Sequence, residues 1–147
     1  MKKVLCVCYG NSDRSPAMAA VLAMYLKNAG FDTEVESAGT SDEYAKSGSA
    51  APTAVNAAAR IGLDLSGHRK RPISALNLQD YDLFVAADVY VAAELVGKGI
   101  PPQMIYNVNI TNPWPVQFEQ DYEPTFLSIL SGMYKVVARY FATKPAA

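Results

Sequence analysis

Two periodicities alternate along the chain. Short apolar runs at residues 4–7, 34–38, 83–87 and 104–108 read as strands, and the longer segments between and after them carry helical spacing. The first predicted helix opens at Ser15-Pro16, passes through Tyr25-Leu26 and stops at Asn28-Ala29-Gly30. Proline is tolerated there because the amide it lacks has no partner within a first helical turn. The spacing predicts a second helix over 52–61 before Gly62, and a third over 89–96 before Gly97 and Gly99. The last, over 124–141, carries a stripe of Phe126, Ile129, Leu130, Met133, Val137 and Tyr140 that suits core packing. Strands joined by helical crossovers predict an α/β fold, a three-layer sandwich with a central four-stranded parallel sheet and helices on both faces. The closing residues 143–147 are expected to fray.

At 147 residues the chain can bury one substantial core, which makes residues 1–147 a single expected domain. Half of the residues are hydrophobic and 18% are charged, as in folded rather than disordered proteins. A net charge of −1 advertises no affinity for polyanions, so nucleic acid is not an expected partner and any attraction for phosphate must be local. The apolar run after Lys2 and Lys3 is too short for a secretion signal. No run approaches the roughly 18 apolar residues of a membrane span, so a cytoplasmic protein without a membrane partner is expected. Cys6 and Cys8, one residue apart on a strand, are poorly placed to pair. With a single histidine they make no zinc set, and neither metal nor cofactor is expected.

On composition alone both cysteines read as small buried hydrophobes. The sequence after Cys8, Tyr9-Gly10-Asn11-Ser12-Asp13-Arg14-Ser15-Pro16, changes that. A strand ends at Cys8, Gly10 and Asn11 accept unusual dihedrals, and Ser15-Pro16 can open a helix. Curling such a loop turns backbone N–H groups inward at the positive end of the helix and makes an anion nest from Tyr9, Gly10, Asn11, Ser12, Asp13, Arg14 and Ser15. The five residues between Cys8 and Arg14 let the loop encircle one tetrahedral phosphate, with the guanidinium returning to its equatorial oxygens. The same positive field favours a thiolate at Cys8. Cys8 and Arg14 are therefore the candidate catalytic pair for two-step phosphomonoester hydrolysis: attack on phosphorus, then attack of water on a phosphocysteine. Ser15 either donates to the leaving thiolate or caps the helix.

The segment from Cys8 to Ser15 resembles the active-site loop of the low-molecular-weight protein tyrosine phosphatases. The resemblance continues through Ser37-Ala38-Gly39-Thr40, Gly62-Leu63-Asp64-Leu65-Ser66-Gly67-His68-Arg69, Tyr81-Asp82-Leu83-Phe84-Val85-Ala86-Ala87-Asp88 and Asn112-Pro113-Trp114, and so covers nearly the whole chain. It implies that Asn11 and Ser15 support the loop, that His68 backs it, and that Asp88 is a scaffold residue nearby; Asp88 also reads as the N-cap before Val89. It further implies that Tyr9 and Trp114 flank the entrance. Together with Asn112, and with Tyr44 as a further aromatic, they are the candidate substrate contacts. The implied substrate is a phosphotyrosine protein or a small aryl phosphate, with inorganic phosphate as product or ligand.

Two residues depart from the family pattern. Asn112 stands where an Asp-Pro-aromatic loop usually supplies the leaving-group acid, and an amide cannot do that work; the expected loss is on the order of 10²–10⁴-fold for a poor leaving group. Asp13 stands where a second cysteine is usual, and its carboxylate would repel phosphate unless it turns outward or takes a proton. Asp13 and Asp121 are the candidate replacement acids. The ordinary role of Asp13 is an outward or capping residue, and that of Asp121 is the first turn of the last helix. The run His68-Arg69-Lys70-Arg71 reads as a basic, solvated turn with local attraction for phosphorylated substrates. Two rival functions follow: a weak or inactive phosphate or phosphopeptide binder, and an arsenate reductase. The reductase would need an external thiol, because the chain lacks downstream cysteines for an internal relay.

Overall fold

Every residue of strand β1 (Lys3–Cys8) from Val4 onward is buried, so the strand must be covered on both faces. The computed structural model of the protein, which describes residues 1–113 and 119–141, supplies both covers. β1 lies between β2 (Glu34–Gly39) and β3 (Leu83–Ala86), with β4 (Ile105–Asn107) beyond β3, in the order β2-β1-β3-β4. All three pairings are parallel. Side chains alternate between faces, as the strand repeat of two requires. Val4, Cys6 and Cys8 join Leu83 and Val85 in a core shared with helices α1 (Arg14–Asn28), α2 (Pro52–Ala59) and α4 (Glu119–Tyr140). Leu5, Val7, Phe84 and Ala86 face the other way, toward Val91 and Leu95 of α3 (Val89–Gly97). The result is the expected three-layer α/β arrangement, and no helix among the described residues is long and apolar enough to cross a membrane.

Strand order positions the site. The chain leaves β1 through α1 to β2 on one side, then crosses back to β3 on the other, so the loop after β1 stands where the sheet's connections diverge. Parallel α/β sheets bind ligands at such a point, outside the carboxyl ends of the strands. Cys8 is the last residue of β1 and pairs in register with Gly39 of β2.

Most predicted boundaries shift by one or two residues. β4 is shorter than expected because Met104 belongs to a helical turn, Pro102–Met104, that precedes it. The larger correction is α4, which starts at Glu119 rather than at Pro124 and holds that proline inside. The proline forfeits a backbone bond, yet the first turn is anchored by Tyr122, which is fully buried and donates its hydroxyl to the Asp13 carbonyl at 3.3 Å. Of the predicted stripe, Phe126, Ile129 and Met133 are buried, while Leu130, Val137 and Tyr140 pack against its edge. Val136 belongs to the same core.

Ile129 is fully buried in the core on the α4 side of the sheet. Ile129→Ala is expected to cost about 2–5 kcal/mol through lost transfer energy and a residual cavity. Urea unfolding should show a lower midpoint with an unchanged slope.

Candidate active site

After Cys8 the chain turns through Asn11, whose φ of 54° lies in the left-handed region that asparagine tolerates better than most residues. Asn11 is completely buried, and all its polar atoms are engaged. Its amide donates to Cys8 Sγ at 3.2 Å, its Nδ2 donates to Ser15 Oγ at 2.8 Å and to Ser37 Oγ at 3.0 Å, and its Oδ1 accepts the Arg71 amide at 2.9 Å. His68 Nε2 lies 2.9 Å from the Asn11 carbonyl, which can only accept, so Nε2 carries the proton. Burial, followed by the nearby charges of Arg71, Lys70 and Arg69, holds His68 below its ordinary pKa against the opposing bond to Asn11. The ring is therefore neutral near pH 7.

Ser15 lies inside α1 rather than at its cap, because the helix starts at Arg14. Its Oγ is 3.0 Å from Cys8 Sγ and 3.3 Å from the Ala38 carbonyl. Arg14, almost wholly buried, donates through one terminal nitrogen to Asp88 Oδ2 and to the Ile110 carbonyl, both at 2.8 Å. The other oxygen of Asp88 accepts the Val91 amide at 2.9 Å. Asp88 thus caps α3 and tethers Arg14 with a single carboxylate. The amides of Tyr9, Gly10, Ser12 and Asp13 meet no acceptor among the described residues.

Cys8 and Arg14 line one cavity of about 570 Å³ together with Tyr9, Gly10, Ser12, Asp13, Tyr44, Ala51, Lys70 and Asn112. The exposed rings of Tyr9 and Tyr44 meet at its rim with centroids 5.6 Å apart. Asp13 departs from the outward or capping role expected of it: its side chain makes no cap bond and lines the cavity. Burial raises its pKa, with the Arg14 amide and guanidinium pulling the other way. Asp121 is exposed on the first turn of α4 and is not among the residues lining this cavity. Trp114 lies outside the described residues.

Three supports carried no chemical signature in the sequence. Ser37 accepts from Asn11, Arg71 donates its amide to Asn11 and its Nε to the Ser37 carbonyl, and Gly39 lets β2 approach the loop. A Cβ on Gly39 would stand 2.7 Å from the Tyr9 carbonyl oxygen and 3.0 Å from the Asn11 nitrogen.

The family model for low molecular weight phosphotyrosine protein phosphatases matches residues 3–115. The chain belongs to that family. Its members are cysteine-based phosphatases, and this one shares their fold with many solved structures. A low molecular weight protein tyrosine phosphatase from T. tengcongensis is 25% identical, with a TM-score of 0.82 over 95% of this chain and 99% of that one. A protein tyrosine phosphatase from Entamoeba histolytica is 20% identical, with a TM-score of 0.84 over the whole of both chains. An arginine phosphatase from Drosophila is 23% identical, with a TM-score of 0.82 over 98% of this chain and all of that one. Among curated protein sequences none matches this phosphatase significantly.

Two substitutions test this geometry in the phosphatase. Gly39→Ala drives a methyl group into the backbone that holds the loop. It is expected to lower kcat for an aryl phosphate by about 10²-fold, the scale of an ångström-size misplacement. Circular dichroism of the variant should still report a folded protein.

Asp13→Asn should act on stability with a definite sign. A carboxyl whose folded pKa is raised contributes stability that is fully present below its unfolded value and is lost as pH rises through the folded value. The variant is therefore expected to melt higher than the parent at neutral pH. That difference should vanish below the ordinary aspartate range of about 3.9. Thermal unfolding across pH measures both.

Proposed function

We propose that this phosphatase hydrolyses phosphotyrosine and other aryl phosphomonoesters through a phosphocysteine at Cys8. The observation that carries the reading is the shared cavity: the sulfur, the guanidinium of Arg14 and the rim tyrosines bound one space, and the loop amides around it have acceptor-free N–H groups among the described residues. A phosphate there places phosphorus against Sγ. The sulfur forms the S–P bond as the aryl P–O bond breaks, and the aryl oxygen leaves with the bonding pair. Arg14 and the amides hold the equatorial oxygens while charge redistributes. Water then attacks phosphorus, releases inorganic phosphate and returns the electron pair to sulfur, toward which Ser15 Oγ can donate. The mechanism uses no metal or organic cofactor.

Asn112 lines this cavity and cannot protonate a leaving group. Asp13 is the only carboxyl among the described residues lining it, which makes Asp13 rather than Asp121 the first candidate for that proton. The absence of an acid at Asn112 also favours a second reading, a phosphopeptide binder that turns over slowly.

Rapid mixing with aryl phosphates of graded leaving-group pKa separates these readings. Hydrolysis predicts a burst of phenol and phosphate bound to Cys8; rates that fall steeply as the leaving group worsens show that no other acid replaces the one missing at Asn112, and a shallow fall shows that another donor does. Cys8→Ser should abolish thiol phosphorylation, and Arg14→Ala should lower kcat/KM by about 10²–10³-fold. Phosphate binding without any label on Cys8 would establish the binder instead. If Asp13 delivers the proton, Asp13→Asn will steepen the leaving-group dependence and remove the basic limb of the pH profile; an unchanged profile removes Asp13 from the reaction. Because a fold neighbour is named an arginine phosphatase, phosphoarginine is the competing substrate, and a preference for it over phosphotyrosine would overturn the aryl assignment.

A further inference from the structure

The run His68-Arg69-Lys70-Arg71 reads as one basic patch, and the fold disperses it. His68 turns in to the Asn11 carbonyl, Arg69 is exposed with its guanidinium on the His68 carbonyl, and Arg71 binds the Ser37 carbonyl and Glu36. Lys70 goes elsewhere. It is half-buried, its amide donates to the Gly48 carbonyl at 2.9 Å, and its stem lies so close to Gly48 that a Cβ there would be 3.0 Å from Lys70 Cε. Main chain and stem are thereby held along the segment that carries Tyr44 and Ala51, and the side chain lines the Cys8 cavity. Arg14, Arg60 and Arg71 each have a carboxylate within ion-pair distance; among the described residues the Lys70 ammonium has none.

We infer that Lys70 recognises a second anionic group on the substrate, next to the phosphorylated ring. This rests on the aryl phosphomonoesterase reading above and narrows its substrate class to aryl phosphates with a neighbouring carboxylate or phosphate. In a protein, that is a phosphotyrosine flanked by acidic residues. Charge decides the direction. The phosphate of the substrate takes Arg14, which is buried and tethered to Asp88. Lys70 is the other cation of the same cavity, which Gly10, Ser12, Asp13, Tyr44 and Ala51 also line. An adjoining cavity of about 910 Å³ shares Tyr9, Arg14 and Asn112 but is lined by Asp88 and Glu94 instead of Lys70. The Lys70 cavity also holds Asp13, whose burial favours its neutral form, so an anionic flank is drawn to Lys70 and repelled from the cavity that Glu94 lines. A half-buried ammonium also keeps more of its attraction than a fully solvated one, because screening there is weaker.

The experiment compares the full chain with Lys70→Gln, Lys70→Glu and Lys70→Arg. The probes are phosphotyrosine peptides that differ only in acidic, neutral or basic flanks, together with phenyl phosphate and carboxyphenyl phosphate. Turnover gives kcat and KM; calorimetry on Cys8→Ser, alone and combined with each Lys70 change, gives affinity without chemistry. The acid-flanked peptide is expected to be preferred over the neutral one by about tenfold at low salt, through KM, with the preference shrinking as salt is added. Lys70→Gln should abolish the preference, Lys70→Glu reverse it and Lys70→Arg keep it. A preference that appears only for carboxyphenyl phosphate supports the subsite and assigns it to small molecules. Lys70-dependent binding by Cys8→Ser with no turnover by the parent supports the subsite while sinking the hydrolytic reading. The inference is overturned if the parent shows no preference with either probe set, or if the preference survives Lys70→Gln. It is equally overturned if Lys70→Gln weakens inorganic phosphate and the acid-flanked peptide by the same factor, since Lys70 would then hold the phosphate itself.

Discussion

The site depends on one buried asparagine held in a left-handed conformation. Few side chains can occupy φ near 54° without strain, and fewer can also occupy the closed space behind the loop. Asn11 does both because its side-chain amide spends every donor and acceptor on a different element, α1 through Ser15, β2 through Ser37 and the 68–71 segment through Arg71, while its main-chain carbonyl accepts from His68 of that segment. Three independently packed parts of the fold thus fix one peptide unit, and that unit aims its N–H at Cys8 Sγ. The loop is shaped before any anion arrives, and such preorganisation is what makes aligned dipoles effective in a transition state. Gly39 belongs to the same constraint, since β2 comes within contact of the loop only because it carries no side chain there.

This fixed frame leaves one mobile proton next to the sulfur. Ser15 Oγ accepts from Asn11 Nδ2, so its own hydrogen must choose between Cys8 Sγ and the Ala38 carbonyl. An ionised sulfur is the stronger acceptor and draws the hydroxyl to itself; a sulfur that carries a proton or a phosphoryl group surrenders it to Ala38. The hydroxyl can follow the charge on sulfur by rotation alone, with no movement of the loop. Arg14 is less free. Burial of its guanidinium is offset by Asp88 and the Ile110 carbonyl, and because Asp88 also caps α3, the position of the cation is tied to the helix on the opposite face of the sheet.

The sequence made the strands, the crossovers and the Cys8–Arg14 loop legible, because each rests on local pattern. What it concealed was tertiary. Ser37 and Arg71 carry no local signature of a role, since their partner is an amide 26 or 60 residues away. The basic run misled for the same reason: sequence adjacency says nothing about direction, and the four side chains separate onto the loop, solvent, the cavity and Glu36. At α4 a local rule was outweighed. Proline usually marks a helix start, but burial of Tyr122 against the Asp13 carbonyl extends the helix upstream of Pro124. Asp13 itself reads as a solvated cap because aspartate usually is one, whereas the packed first turn of α4 and the cavity wall leave it partly enclosed.

Asn112 and Asp13 line the same cavity, and of the two only Asp13 carries a carboxyl. A carboxylate in the cavity lining opposes a dianionic ligand, and burial already biases Asp13 toward its neutral form. A phosphate arriving beside it strengthens that bias, so binding the anion and protonating Asp13 favour each other, and by linkage each raises the affinity for the other equally. The cation complement of the cavity then matters more than in a pocket without an acid. With Arg14 largely balanced by Asp88, Lys70, which has no carboxylate partner among the described residues, is the other cation available to offset an ionised Asp13 in this cavity. A protein of net charge −1 can therefore bind phosphate only where these few groups, rather than its overall field, decide the sign.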